Sequence, residues 1–238
     1  MKITTVFFDL DGTLLPMDLE VFLGAYFRGL CRVLAPRGYE AEKLVKSIWA
    51  GTGAMIQNDG KCTNEAAFWN CFTAFWGQQA LQDMPLFEQY YETGFQEVRS
   101  VCGFNPAAAG ILRQLKEAGV QAVLATNPIF PAAATHSRIR WAGLTPEDFI
   151  HITTYENSSF SKPNPAYYRE ILEKLSLTPE ECVMVGNDVG DDMPAGELGM
   201  QTFLLTDCLI NPKNADLSSW PHGGFPELSA FLAQLSKT

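Results

Sequence analysis

Apolar and β-branched residues run together over positions 3–8 without polar alternation. That pattern predicts a short strand buried on both faces, as in a parallel sheet. The spacing then changes. Leu19, Phe22, Leu23, Tyr26, Leu30 and Val33 recur at intervals of three and four, one face of a helix. "PRG" at 36–38, "GTG" at 51–53 and "NDGKC" at 58–62 predict breaks. Residues 64–76 and 85–100 predict further helices, with Pro85 placed in a first turn. No strand is predicted between 17 and 101.

After "CGFNP" at 102–106 helices and strands alternate. Helices are predicted over 107–118, closed by Gly119, over 131–142, closed by Gly143, and over 165–175. Strands are predicted over 120–127, 149–155, 182–188 and 201–207, with a short helix before the last and a final helix over 225–235. Such alternation implies right-handed crossovers and a parallel sheet. The predicted fold class is α/β: a Rossmann-like parallel sheet with helices on both faces. A helical domain of about 85 residues is inserted after the first strand, so 1–16 and 102–238 form the core and 17–101 the insert.

Composition narrows the function. The chain has 238 residues, 47% of them apolar, enough for a sizeable core. A formal charge of −10 argues against nucleic acid or an anionic membrane as partner, because both require basic surface. No apolar run reaches the length of a membrane span. Acids arrive too early in "MKITTVFFDLDG" for a signal peptide. The six cysteines are scattered without a CxxC pair, and three histidines offer no zinc spacing. Cytoplasm is the expected compartment.

Chemistry gathers where parallel strands end, since open sheets place their sites at carboxyl ends. The first strand runs into Asp9 and Asp11, two acids that cost free energy to hold close unless something compensates them. The second ends in Thr126 and Asn127; the fourth runs into Asn187, Asp188, Asp191 and Asp192; Lys162 lies in a loop between them. Clustered carboxylates suit Mg²⁺, and a hydroxyl, backbone N–H groups and a lysine suit phosphate oxygens. Together they suit displacement at phosphorus, with a carboxylate as nucleophile.

"DLDGTLL" at 9–15, "ATN" at 125–127, "SKPNP" at 161–165 and "VGNDVGDD" at 185–192 resemble, in order, the four motifs of the haloacid dehalogenase-like (HAD) hydrolase superfamily. The insert occupies the place of that superfamily's helical cap. The resemblance implies Asp9 as nucleophile and Asp11 as general acid, then base. It implies Gly12 as the residue that permits the tight turn, Thr13 as its buttress, and Thr126 and Asn127 as phosphate holders. Lys162 would neutralise the phosphate and Asp9. The implied Mg²⁺ set is Asp9, Asp11 through its carbonyl, and the fourth-motif acids Asp188 and Asp192. Asn187 departs from the usual Gly-Asp spelling, and Asp191 competes with Asp192. The resemblance implies that dehalogenases of the superfamily lack an acid at the position of Asp11, because a halide needs no proton. The expected activity is a Mg²⁺-dependent phosphatase acting on a small phosphorylated metabolite through an aspartyl-phosphate. A sugar phosphomutase and a non-catalytic binding protein of the same fold are the alternatives.

Other residues read as structure. Phe68, Trp69, Phe72, Phe75 and Trp76 are expected to pack the insert, some of them lining a pocket. His222 falls in a turn signal, Cys102 and Cys182 are expected as small core hydrophobes, and Lys43, Lys46 and Lys61 as solvated cations.

Overall fold

The computed structural model describes residues 2–235. Strands β1 (Thr5–Phe8), β2 (Gln121–Leu124), β3 (His151–Ile152), β4 (Cys182–Gly186), β5 (Gln201–Leu205) and β6 (His222–Gly223) form one sheet in the order β3-β2-β1-β4-β5-β6. Every pairing is parallel. The order makes β1 central and puts the topological switch between β1 and β4, where such sheets open a crevice.

All four β1 residues are buried, and alternate side chains enter different cores. Val6 and Phe8 pack with Leu124, Val183 and Val185 on one face. Phe7 packs with Val123, Met184 and the tyrosines of α8 (Pro165–Leu175) on the other. The unbroken apolar run in the sequence is therefore the mark of a strand covered on both sides. Helices α6 (Ala107–Glu117) and α9 (Phe225–Leu235) cover the first face. Helix α7 (Ala132–Trp141) follows β2.

Between β1 and α6 the chain is helical: α1 (Leu19–Leu34), α2 (Ala41–Ile56), α3 (Asn64–Trp76), α4 (Gln79–Gln82), α5 (Met84–Glu92) and a 3₁₀ segment, Gly94–Val101. Side-chain caps fix three of the starts, Glu40 capping α2 by accepting from Glu42 N and Lys43 N. Asp18 accepts from Val21 N at 3.1 Å and Thr63 from Ala66 N at 3.2 Å. Of the five aromatics expected to pack the insert, Phe68, Trp69 and Phe72 are buried and meet one another and Phe87 edge-on or stacked, Trp76 is half-buried against Phe72, and Phe75 is half-buried outside this cluster. The chain enters and leaves this insert side by side. Met17 pairs with Cys102 in an antiparallel bridge, and Gly103 N donates to Pro16 O at 2.7 Å.

Four expectations need correction. "GTG" does not break the chain but lies within α2. Gly51 is there because a Cβ would collide with the ring of Phe68 on α3, so the missing side chain is a packing contact between two helices. The helix expected over 85–100 stops at Glu92; Thr93 leaves the helical region and the rest is 3₁₀. The strand expected over 149–155 is an edge strand of two residues, extended only by Ile150 N to Ala122 O and Thr153 N to Leu124 O. The "HGG" turn signal contains β6, a two-residue strand beside β5. Among the described residues no helix is long and apolar enough to cross a membrane.

Candidate active site

The end of β1 is still in the ladder at Asp9, whose N–H donates to Val185 O at 2.9 Å. The chain then turns sharply: Gly12 N donates to Leu15 O at 2.8 Å and Leu15 N to Leu10 O at 2.8 Å. Gly12 has φ +85°, and a Cβ there would collide with the Asn187 amide. Only glycine satisfies both conditions. The turn lifts Asp9 and Asp11 to the sheet edge. Thr13 Oγ1 braces it, within 3.2 Å of Asp9 Oδ2 and 2.9 Å of Asn187 Oδ1.

Lys162 Nζ donates to Asp9 Oδ1 at 2.9 Å and to Asp192 Oδ1 at 2.6 Å. Its side chain is 1% exposed. Burial pulls the ammonium down, but Asp192 and Asp9 outweigh it and hold its pKa well above the usual lysine value. Asp192 is fully occupied: its other oxygen accepts from Asp188 N at 2.9 Å. Burial pushes its carboxyl up, and Lys162 opposes that push. Gly186 gives this carboxylate its room, since a Cβ would collide with it. Asp188 Oδ1 accepts from Gly190 N and Asp191 N, at 2.7 and 3.1 Å. Asp191 goes elsewhere, with its Oδ2 3.4 Å from Asn127 Nδ2.

The Thr126–Asn127 corner is held from behind. Thr153 Oγ1 and Tyr167 Oη both reach Thr126 O, at 2.6 and 2.9 Å. Asn127 Oδ1 is buried without a hydrogen-bond partner, as is Asp11 Oδ1. Asp9, Asp11, Gly12, Thr126, Asn127, Lys162, Asp188, Asp191 and Asp192 all line one cavity of about 870 Å³. The helical insert supplies its far wall, through Phe22, Trp49, Phe68 and Trp69 among others.

Two residues that the sequence reading passed over belong here. Arg138 of α7 is 1% exposed and ion-paired with Asp11 Oδ2; its guanidinium also lies 4.5 Å from the Phe130 ring centroid. Ala134, Arg138 and Trp141 form one buried helix stripe, so a charge at that spacing was the signal available. Burial raises the Asp11 carboxyl to about 6, with Arg138 pulling against it and Asp9 adding to it. The second is Asn64, fully buried at the start of α3. Its Nδ2 faces Pro128 O, Phe160 O and Ser161 Oγ, at 3.1, 3.2 and 3.0 Å. An amide NH₂ has two protons, so three acceptors share two bonds. The insert is thus clasped to both loops that carry Asn127 and Lys162.

The sequence pattern of haloacid dehalogenase-like hydrolases matches residues 3–199. The chain belongs to the haloacid dehalogenase-like hydrolase family. As a HAD-family hydrolase, it is similar to the phosphoglycolate phosphatase of Vibrio vulnificus (strain CMCP6). The two are 26% identical over 208 residues, 86% of this chain and 84% of that one. Among solved structures it resembles the 2-haloacid dehalogenase from Pseudomonas syringae pv. Tomato DC3000, with TM-score 0.64 and 22% identity over 98% of this chain and 99% of that one. It also resembles the HAD-hydrolase YfnB from Bacillus subtilis bound to magnesium, with TM-score 0.56 and 19% identity over 98% and 99% of the two chains. At these identities the structural likenesses establish the fold, and the names attached to them span different chemistries.

Proposed function

We propose that this HAD hydrolase is a phosphatase that cleaves phosphomonoesters through an aspartyl-phosphate on Asp9, with Mg²⁺ as cofactor. The observation that carries this reading is the pair of acids on one turn. Asp9 is held by Lys162, and Asp11 lines the same cavity with one buried oxygen unpartnered.

The donor chemistry fits Mg²⁺. Among the described residues no three His, Cys, Asp or Glu side chains converge on a common point. Mg²⁺, however, takes one or two carboxylates and completes its shell with water and substrate phosphate. Asp9, Asp188 and the carbonyl of Asp11 are the residues that would hold it. Asp192, with one oxygen on Lys162 and the other on a backbone amide, serves as the partner that fixes Lys162. When bound, the metal offsets charge on the phosphoryl oxygens.

The protein's own residues supply the rest. An Asp9 oxygen attacks phosphorus and the bond from phosphorus to the alcohol oxygen breaks. Protonated Asp11 gives its proton to that oxygen, so the alcohol leaves neutral. Water then attacks the phosphorus and Asp11 carboxylate takes a proton from it, which frees phosphate and restores Asp9. Lys162, Thr126 and Asn127 hold the phosphoryl oxygens. A halide leaving group needs no proton, so Asp11 favours the phosphatase over the dehalogenase. Residues 17–101 act as a cap that excludes bulk water.

Hydrolysis of p-nitrophenyl phosphate tests the reading. We expect release with Mg²⁺, none with EDTA, and a loss of about 10⁴-fold or more in Asp9→Asn. Release indifferent to chelator, or retained by Asp9→Asn, would refute it.

A further inference from the structure

The cavity is lopsided in charge and in texture. Among the described residues Lys162 is the one basic side chain that lines it, and both Asp9 and Asp192 already claim its ammonium. Arg138 is not in the wall; it stands behind Asp11, which neutralises it. Away from the sheet edge the wall carries further acids, Glu65, Glu88, Glu92 and Glu156. Glu156 is anchored, accepting the Ala132 amide on both oxygens at 2.9 and 3.1 Å. Burial raises the Glu65 carboxyl, and Glu156 and Glu88 raise it further, so these three carboxylates feel one another. Much of the remaining wall is aromatic, with Phe22, Tyr26, Trp49, Phe68, Trp69 and Phe130, and two more acids, Asp18 and Glu20, line it as well.

This geometry bears on the alcohol part of the substrate. The phosphoryl group has Lys162 to balance it, together with the metal that Asp9 and Asp188 would hold. An anionic group elsewhere on the substrate would meet no free cation. It would lose hydration and face like charges. An apolar body meets ring faces that gain by covering it. The cavity, at about 870 Å³, is also far larger than a two-carbon acid needs.

We propose that the alcohol this enzyme releases is non-anionic and carries an extended apolar or aromatic body, unlike the glycolate of its phosphoglycolate phosphatase relative. The proposal rests on the phosphatase reading above and deepens it to a substrate class.

The test compares kcat/KM with Mg²⁺ for ethyl phosphate, 2-phenylethyl phosphate and 2-phosphoglycolate, with p-nitrophenyl phosphate alongside. Ethyl phosphate should exceed phosphoglycolate at least tenfold, and 2-phenylethyl phosphate should exceed ethyl phosphate at least tenfold. The gap between ethyl phosphate and phosphoglycolate should narrow in high salt, and again in Glu65→Gln/Glu88→Gln, because its source is repulsion. Turnover of p-nitrophenyl phosphate together with phosphoglycolate at least as good as ethyl phosphate would overturn the proposal and leave the phosphatase standing. Equal rates for the two neutral alkyl esters would remove the apolar body from it. Failure of all four substrates would take down the phosphatase reading and the proposal with it.

Discussion

Arg138 and Asp11 form an ion pair with unequal burial: the guanidinium side chain is 1% exposed and the carboxylate side chain 22%. Removing either partner strands the other, but the stranded charges are not equivalent. Asp11 left alone still borders the cavity and has Lys162 acting on it. Arg138 left alone is sealed among Phe130, Ala134 and Thr135. We therefore expect Asp11→Ala to cost about 3 kcal/mol of stability and Arg138→Met clearly less. Urea denaturation of the two variants decides; a larger loss in Arg138→Met would show that the pair is not organised this way.

The same carboxyl sets a pH dependence. Its pKa is raised to about 6 by burial, so in the proposed mechanism the acid form that would protonate a leaving alkoxide is lost as pH rises through that value. With ethyl phosphate, kcat should fall about tenfold per unit well above pH 6. With p-nitrophenyl phosphate, whose leaving group needs little protonation, the fall should be shallow. Parallel profiles for the two substrates would remove Asp11 as the acid.

Lys162 neutralises two carboxylates at once, and its absence should be felt according to pH. In the wild type its raised pKa keeps the ammonium charged across the working range, so its contribution is constant there. In Lys162→Met, Asp192 loses the counter-ion that opposes the upward push of burial on its carboxyl, so its protonated form is favoured. Groups whose folded pKa is raised contribute stability at low pH and lose it as pH rises. The variant should be destabilised by about 3 kcal/mol at pH 8 and by clearly less at pH 5. A pH-independent difference in melting temperature would contradict this.

Gly12→Ala places a methyl group against the Asn187 amide at φ +85°. The left-handed conformation alone costs about 1–2 kcal/mol, and the collision pushes on the residue that receives Thr13. Activity should fall more than stability accounts for, because the turn carries both Asp9 and Asp11. A fully active, slightly less stable variant would show that the turn can relax.

The strands were legible because burial on both faces leaves an unbroken apolar run, and the motif residues were legible because parallel strands deliver them to one edge. What the sequence concealed was contact between distant elements. Gly51 looked like a break because nothing local shows that Phe68 needs its space. β3 looked longer because an apolar run continues past the pairing available at a sheet edge. Arg138 was hidden by the surface appearance of "SRIRW"; its buried neighbours Ala134 and Trp141 are small or amphipathic and make a weak stripe. Spacing favoured Asp192 with Asp191 as its competitor, and the three-dimensional path of the loop sends Asp191 toward Asn127 and Asp192 to Lys162.

Besides the two crossings at Met17 and Cys102, the insert is fastened to the core through Gln96, which bonds Ser137 and Trp141, and through Asn64. Two crossings alone act like a hinge, about which a lid swings freely. Further fastenings convert the hinge into a latch, and the acceptors of Asn64 lie on the loops beside Asn127 and Lys162. Any wide opening of the insert must break those bonds, so the position of the insert and the footing of the two loops are mechanically coupled.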